Sequence, residues 1–195
     1  MLRVEGLGVR FGRAWVLRGV SFSLEKGQSL AVTGRNGAGK STLLKLIAGL
    51  LTPSEGRVAM PEGDPRRTMA LSALDGALYP WLTPREHLRL AADLRGCEHR
   101  EAELLDRVNL TVAAHKAASE LSTGMRARLK LAMAIQADPW LLLLDEPGAG
   151  LDEEGRALLD VIAREQVERG ALVVATNDPA ERRLGTHELA LEGKA

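Results

Sequence analysis

Short apolar stretches punctuated by glycine open this chain, and longer amphipathic ones follow. Val9-Arg10-Phe11, Val20-Ser21-Phe22-Ser23-Leu24 and Leu30-Ala31-Val32 alternate or run apolar, which predicts a β-rich entry over residues 2–32. Ser29-Leu30-Ala31-Val32-Thr33 reads as a short buried strand, and residues 42–48 read as a helix. Gly49 ends that helix and Pro53 discourages its continuation, leaving residues 52–56 as a turn. Residues 66–73, centred on Thr68-Met69-Ala70-Leu71, predict another strand.

The pattern turns helical from residue 83 to 118. Thr83-Pro84-Arg85-Glu86 has the makings of a capping box, with Thr83 as N-cap, Pro84 at the first helical position and Glu86 reaching back. Leu88, Ala91, Ala92 and Arg95 continue that helix face, and a second helix is expected over residues 100–108. Ser122 precedes an amphipathic helix with Met125, Leu129, Ala132, Met133 and Gln136 on one side. Residues 140–144 and 171–176 read as buried strands around a helix at residues 153–169. No internal repeat or low-complexity segment interrupts the series.

The first candidate chemistry lies between a strand and a helix. Gly34-Arg35-Asn36-Gly37-Ala38-Gly39-Lys40-Ser41, followed by Thr42, is a complete phosphate-binding loop in the strand–loop–helix setting that the pattern requires. Its glycines let the backbone curl so that successive N–H groups face phosphate oxygens. Lys40 adds a point charge for the β- and γ-phosphates, and the Ser41 hydroxyl suits Mg²⁺. The helix N-terminus adds partial positive charge at the same place. A glycine-rich connector without ligand is the competing reading, and the setting disfavours it.

The second lies at Leu141-Leu142-Leu143-Leu144-Asp145-Glu146-Pro147. Four leucines in succession suit a parallel strand covered on both faces. Ligands of open α/β sheets sit at the carboxyl ends of strands, where these two acids emerge. Asp145 is expected to hold the Mg²⁺ shell, and Glu146 to orient or deprotonate an attacking water. Alone, the pair could be a solvated acidic turn. The phosphate loop upstream argues against that.

Between the two lies Leu121-Ser122-Thr123-Gly124-Met125, which by itself is no more than an N-cap before a helix. With this stretch in place, the chain resembles the nucleotide-binding domain of ATP-binding cassette (ABC) proteins, from Phe11 to about Asn177. The order of the three motifs carries the resemblance. It implies an α/β fold: a phosphate-loop core with a mixed sheet, an N-terminal antiparallel β portion, and a helical subdomain near residues 75–135 inserted in one domain spanning 1–195. It also implies a head-to-tail dimer in which Ser122 and Gly124 of one chain close over ATP held by residues 34–42 of the other. A Ser hydroxyl and a helix N-terminus are suitable donors to a γ-phosphate. By the same resemblance Phe11 is the aromatic that stacks on adenine, against a competing reading as a buried core residue. Gly148-Ala149-Gly150-Leu151-Asp152 matches the loop lining the dimer seam, with Asp152 as its polar contact.

Three positions depart from the family pattern. The usual Gln near residue 72 is missing from Leu71-Ser72-Ala73-Leu74-Asp75-Gly76, where Asp75 is the nearest substitute. Asn177 stands in place of the switch His, as a second catalytic candidate; an amide can bond a γ-phosphate oxygen but cannot carry an imidazolium charge. Met125 replaces the signature Gln. His87, His99 and His115 fall elsewhere and are expected at the surface.

Composition narrows the function further. Lys and Arg number 26 and Asp and Glu 26, so a nucleic-acid-coating surface is not expected. A lone cysteine, Cys97, fits a reducing compartment, and no run approaches the ~20 apolar residues of a membrane span. The resemblance thus implies an ATP-hydrolysing, Mg²⁺-dependent subunit that powers a transporter through a separate multi-span membrane subunit. It would be cytoplasmic, peripheral on the inner face of the cell membrane, and part of a homodimer or heterodimer. The stretch from Leu78 to Leu88 is similar to that of exporter-type ATPases, and the short length to the compact ATPases of cytochrome c maturation heme exporters. A weakly or non-hydrolysing regulatory subunit, suggested by Asn177 and the missing Gln, and a soluble mechanical ATPase are the alternatives.

Overall fold

The computed structural model of the protein describes residues 1–73 and 76–192, so Asp75 lies outside the described residues. The first half comprises β1 (Leu2–Phe11), β2 (Ala14–Leu24), β3 (Ser29–Thr33), α1 (Lys40–Ile47), β4 (Glu55–Ala59), α2 (Pro65–Thr68) and β5 (Met69–Ser72). The second comprises α3 (Pro84–Arg95), α4 (Glu101–Arg107), α5 (Thr123–Ile135), β6 (Leu141–Asp145), α6 (Glu153–Arg169), β7 (Ala171–Ala175), α7 (Pro179–Arg182) and β8 (His187–Ala190).

The mixture of strand directions is divided between two sheets. β2-β1-β4 is antiparallel, whereas β5-β6-β7-β3-β8 pairs in parallel throughout. The leucines of β6 show why the parallel sheet must be covered twice. Leu142 and Leu144 join Leu172 and Val174 of β7 in a core shared with α3, α4, α5 and α6. Leu141 and Leu143 join Val173 and Ala175 in a core shared with α1 and the antiparallel sheet. Successive strand side chains point to opposite faces, so an unbroken leucine run fills both cores, at about 1.5–3 kcal/mol per buried side chain.

The predicted capping box is complete. Thr83 accepts from Glu86 N, and Glu86 Oε2 accepts from Thr83 N at 2.8 Å. Ser122 caps α5 by accepting from Met125 N at 3.2 Å. Leu129, Ala132 and Gln136 are buried, as the helix pattern predicts, and Met125 and Met133 pack against the core.

Three expectations need correction, and one strand was not foreseen. The strand predicted at residues 66–73 begins only at Met69, because Asp64 accepts from Arg66 N and Pro65 starts a helical turn. The turn at residues 52–56 already holds the start of β4: Gly56, at φ +78°, passes so near β1 that a Cβ would lie 2.3 Å from Gly6 O. β8, a four-residue edge strand beside β3 in which only Leu189 is partly buried, has no apolar alternation to announce it. His87 is fully buried rather than at the surface: its Nε2 accepts from Tyr79 N, and its Nδ1 faces Thr83 O, both at 2.9 Å.

For the site, the decisive feature is register. Asp145 of β6 lies opposite Ala175 of β7, and Ala175 lies opposite Val32 of β3. Three carboxyl ends therefore finish level, so the acids after β6, the residues after β7 and the loop after β3 converge.

Candidate active site

Backbone conformation shapes the loop after β3. Gly34, Gly37 and Gly39 all have positive φ, at +141°, +82° and +101°. Gly34 and Gly39 also have no space for a side chain, since a Cβ would meet Leu191 O at 2.6 Å and Leu17 Cδ2 at 2.7 Å respectively. Ala38 is buried beneath the loop, while Arg35, Asn36 and Gly37 are exposed. Gly39 caps α1 without a side-chain hydrogen bond, which leaves a helix end of the kind that suits an anion. Ser41 is exposed and Thr42 half-buried in that first turn.

Lys40 ties the three strand ends together. Its side chain is 7% exposed, and Nζ donates to Gly34 O at 3.0 Å and to Asn177 Oδ1 at 2.9 Å. It also pairs with Glu146 Oε1 at 3.4 Å. Because an ammonium only donates, the Asn177 oxygen must face it, which leaves Nδ2 to donate to Asn36 Oδ1. Glu146 in turn receives Asn177 N at 3.3 Å and the Thr176 hydroxyl at 3.4 Å on Oε2. The Glu146 backbone is left-handed at φ +46°, with its N–H bonded to Ala175 O at 2.8 Å. That turn carries the carboxylate back over the strand ends toward Lys40.

Asp145, the last residue of β6, is buried. With the Ser41 hydroxyl it offers hard oxygen donors and no sulfur or imidazole. Among the described residues no group of three or more His, Cys, Asp or Glu could hold a metal by itself. That donor set suits an ion that takes one carboxylate, phosphate oxygens and water, as Mg²⁺ does.

The remaining sequence candidates lie around this centre. Phe11 ends β1 and is 55% exposed, which removes the buried-core reading and leaves a free aromatic face. Ser122 and Gly124 open α5 beside the loop after β6: a Cβ on Gly124 would lie 3.1 Å from Asp152 Oδ2. Asp152 caps α6 through Gly155 N at 2.8 Å and pairs with buried Arg128 at 3.8 Å, so it braces the loop after β6 within its own chain. A cleft of about 480 Å³ runs from Asp145 and Glu146 to Arg126 and Lys130 of α5.

Two residues with no sequence motif belong to the site as well. Thr176 is fully buried beneath Glu146, and buried Glu181 accepts from Gly148 N at 2.9 Å. The only local hint is Asp178-Pro179, which caps the short helix carrying Glu181.

Comparison with known proteins gives a consistent result. Residues 17–149 match the family described as ABC transporter. The cytochrome c biogenesis ATP-binding export protein CcmA of Bradyrhizobium diazoefficiens is 40% identical over 189 residues, covering 91% of this chain and 94% of that protein. Its counterpart in Nitrobacter winogradskyi is 36% identical with both chains covered fully, at 100% each. The aliphatic sulfonates import ATP-binding protein SsuB of Burkholderia ambifaria is 38% identical, but the chain spans only 60% of its length. Among solved structures, an ATP binding subunit of an ABC transporter superposes with a TM-score of 0.89 at 31% identity, covering 100% of this chain and 88% of the other. A dimeric ATP-binding cassette bound to ADP and Pi has the same fold, with a TM-score of 0.88 at 23% identity over 98% and 94% of the two chains. No helix of the described residues is long and apolar enough to cross a membrane.

Proposed function

The chain belongs to the ATP-binding subunits of ABC transporters, and from that premise we propose how its own residues bind and cleave ATP. The observation that carries the reading is the Lys40 ammonium, shared by Gly34 O, Asn177 Oδ1 and Glu146 Oε1. A γ-phosphate seated at that ammonium lies within reach of a carboxylate and an amide at once.

In this reading residues 34–42 cradle the phosphates and Phe11 stacks on the adenine. Ser41 and Asp145 would hold Mg²⁺, which supplies charge neutralisation at the β- and γ-oxygens. Glu146 accepts the proton of the attacking water, and Asn177 bonds the γ-phosphate in place of an imidazole. Ser122 and Gly124 act on the nucleotide of a second ATP-binding subunit, in a homodimer or heterodimer; a cassette of the same fold is described as dimeric, which is consistent with pairing. The whole of residues 1–195 then works as one ATP-binding domain, with the helices near 75–135 as its subdomain.

Coupling needs a partner, and we assign it to a multi-span membrane subunit, with this chain peripheral on the inner face of the membrane. A groove of about 530 Å³ lined by Leu50, Met69, Leu71, Leu78, Tyr79 and Leu94 supports this, since it gives an apolar seat on the helical side. Export in cytochrome c biogenesis is the favoured process, because the export protein CcmA of Bradyrhizobium diazoefficiens is matched at 40% identity over 91% of this chain. Two measurements test the function. Purified chain should turn over ATP in Mg²⁺-dependent fashion, and tagged chain should co-purify from detergent-solubilised membranes with a multi-span protein. Stable ATP binding without turnover would favour a regulatory subunit, and a soluble partner alone would contradict transport.

A further inference from the structure

Glu181 is a buried carboxylate that no motif assigns, 8% exposed. Its Oε1 accepts from Gly148 N at 2.9 Å, and a Cβ on Gly148 would lie 2.1 Å from that same oxygen. Gly148 can therefore carry no side chain while Glu181 stays in place. It sits two residues beyond Glu146, inside the turn closed by Ala149 N to Glu146 O at 3.0 Å. The seam loop continues from it through Leu151 N, which bonds Gly148 O at 3.1 Å.

The other side of Glu181 is anchored to the end of β7. α7 begins directly after Asn177 and Asp178, with Asp178 accepting from Ala180 N at 2.8 Å. Thr176 Oγ1 accepts from Asp178 N at 2.9 Å and donates to Glu146 Oε2 at 3.4 Å. The same hydroxyl stands near Glu181 and favours its ionised form, although Oε2 of Glu181 is buried without a hydrogen-bond partner among the described residues. Burial is the largest influence on this carboxyl and pushes it above the usual carboxylate range. Enclosing such a group costs free energy unless it is bonded, so the Gly148 contact is what compensates for its place here.

We propose that Glu181 is a positioning residue for ATP hydrolysis, which fixes the turn bearing Glu146 by holding Gly148 N and ties that turn to the segment bearing Asn177. Its contact is with the backbone of the turn, and through that it sets where Glu146 points. The inference rests on the assignment of Glu146 as the group that handles the water's proton. An error of about 1 Å in the placement of a reacting group can cost on the order of 10²-fold in rate.

The test compares steady-state ATP turnover and equilibrium ATP binding in the full chain for the parent, Glu181→Ala, Glu181→Gln, Gly148→Ala, the Ala–Ala double variant and Glu146→Gln. Glu181→Ala should lower kcat about ten- to hundredfold, with KM and ATP affinity within about twofold of the parent. Glu181→Gln, which keeps an acceptor for Gly148 N, should recover most of the rate. Gly148→Ala should lower kcat in the parent, by displacing the carboxylate, but add little to Glu181→Ala. If Glu181→Ala folds poorly, Gly148→Ala breaks the same contact from the other side and decides the matter. Parental kcat in either Ala variant would overturn the inference, as would a rise in KM matching the lost kcat or no recovery with Gln. Parental turnover in Glu146→Gln would overturn the inference and the general-base assignment together, whereas failure confined to Glu181 and Gly148 leaves that assignment standing.

Discussion

Lys40 and Asn177 stand 137 positions apart in sequence and are joined by a 2.9 Å hydrogen bond from the ammonium to the amide oxygen. The bond exists because β3 and β7 are neighbours in parallel register, with Val32 opposite Ala175. It places the cation of the phosphate loop and the residue after β7 at one point. A phosphate bound there as proposed would compete with groups that already hold the lysine.

Replacing Lys40 with Ala should therefore abolish turnover and weaken ATP binding. Its ammonium is the only side-chain cation that the loop directs inward, since Arg35 is exposed. Equilibrium titration with a fluorescent ATP analogue checks this. Parental affinity and turnover in the variant would contradict the placement of the nucleotide.

Asn177→His should raise basal ATP turnover. The amide can bond a γ-phosphate oxygen but adds no charge as the phosphoryl group departs, whereas a partly protonated ring would. A gain of about 1–2 kcal/mol in transition-state stabilisation appears as roughly 5–30-fold in rate. Rates at saturating ATP over several protein concentrations separate chemistry from dimerisation. An unchanged rate with dimerisation intact would show that Asn177 already does what the ring would do.

Legibility followed sequence contiguity. The phosphate loop, the leucine strand with Asp145 and Glu146, and the Thr83 capping box are each written in consecutive residues, and each folds as its pattern predicts. Thr176 and Glu181 were not legible because their roles depend on which strand end faces which turn. Gly148 shows the same limit: it reads as an ordinary loop glycine until the carboxylate of Glu181, 33 positions away, is seen against it. His87 was misread for a related reason. Its partners, Tyr79 N and Thr83 O, are backbone groups of the segment leading into α3, and backbone partners leave no signature in side-chain pattern.

The stability of Glu181→Gln relative to the parent should depend on pH. Burial raises this carboxyl above its ordinary value of 4.5, opposed by the Thr176 hydroxyl and Gly148 N and reinforced by the charges of Asp178 and Glu146. The folded chain therefore holds this proton more tightly than the unfolded chain. The resulting stabilisation is complete below 4.5 and is lost as pH rises through the raised folded value. Glutamine does not titrate, so Tm of the variant minus Tm of the parent should increase from acidic pH toward neutrality. Thermal melts across that range check it, and a difference that does not change with pH would contradict the burial of Glu181.

The most direct test of the central claim is single-turnover hydrolysis of ATP by the parent and Glu146→Gln, with dimerisation followed by size-exclusion chromatography. Glutamine keeps the shape of the side chain beside Lys40 and removes the carboxylate that we propose takes the water's proton. The predicted result is tight ATP binding, an ATP-dependent dimer, and cleavage slower by about 10²–10⁴-fold. Cleavage by Glu146→Gln at the parental rate would contradict the account.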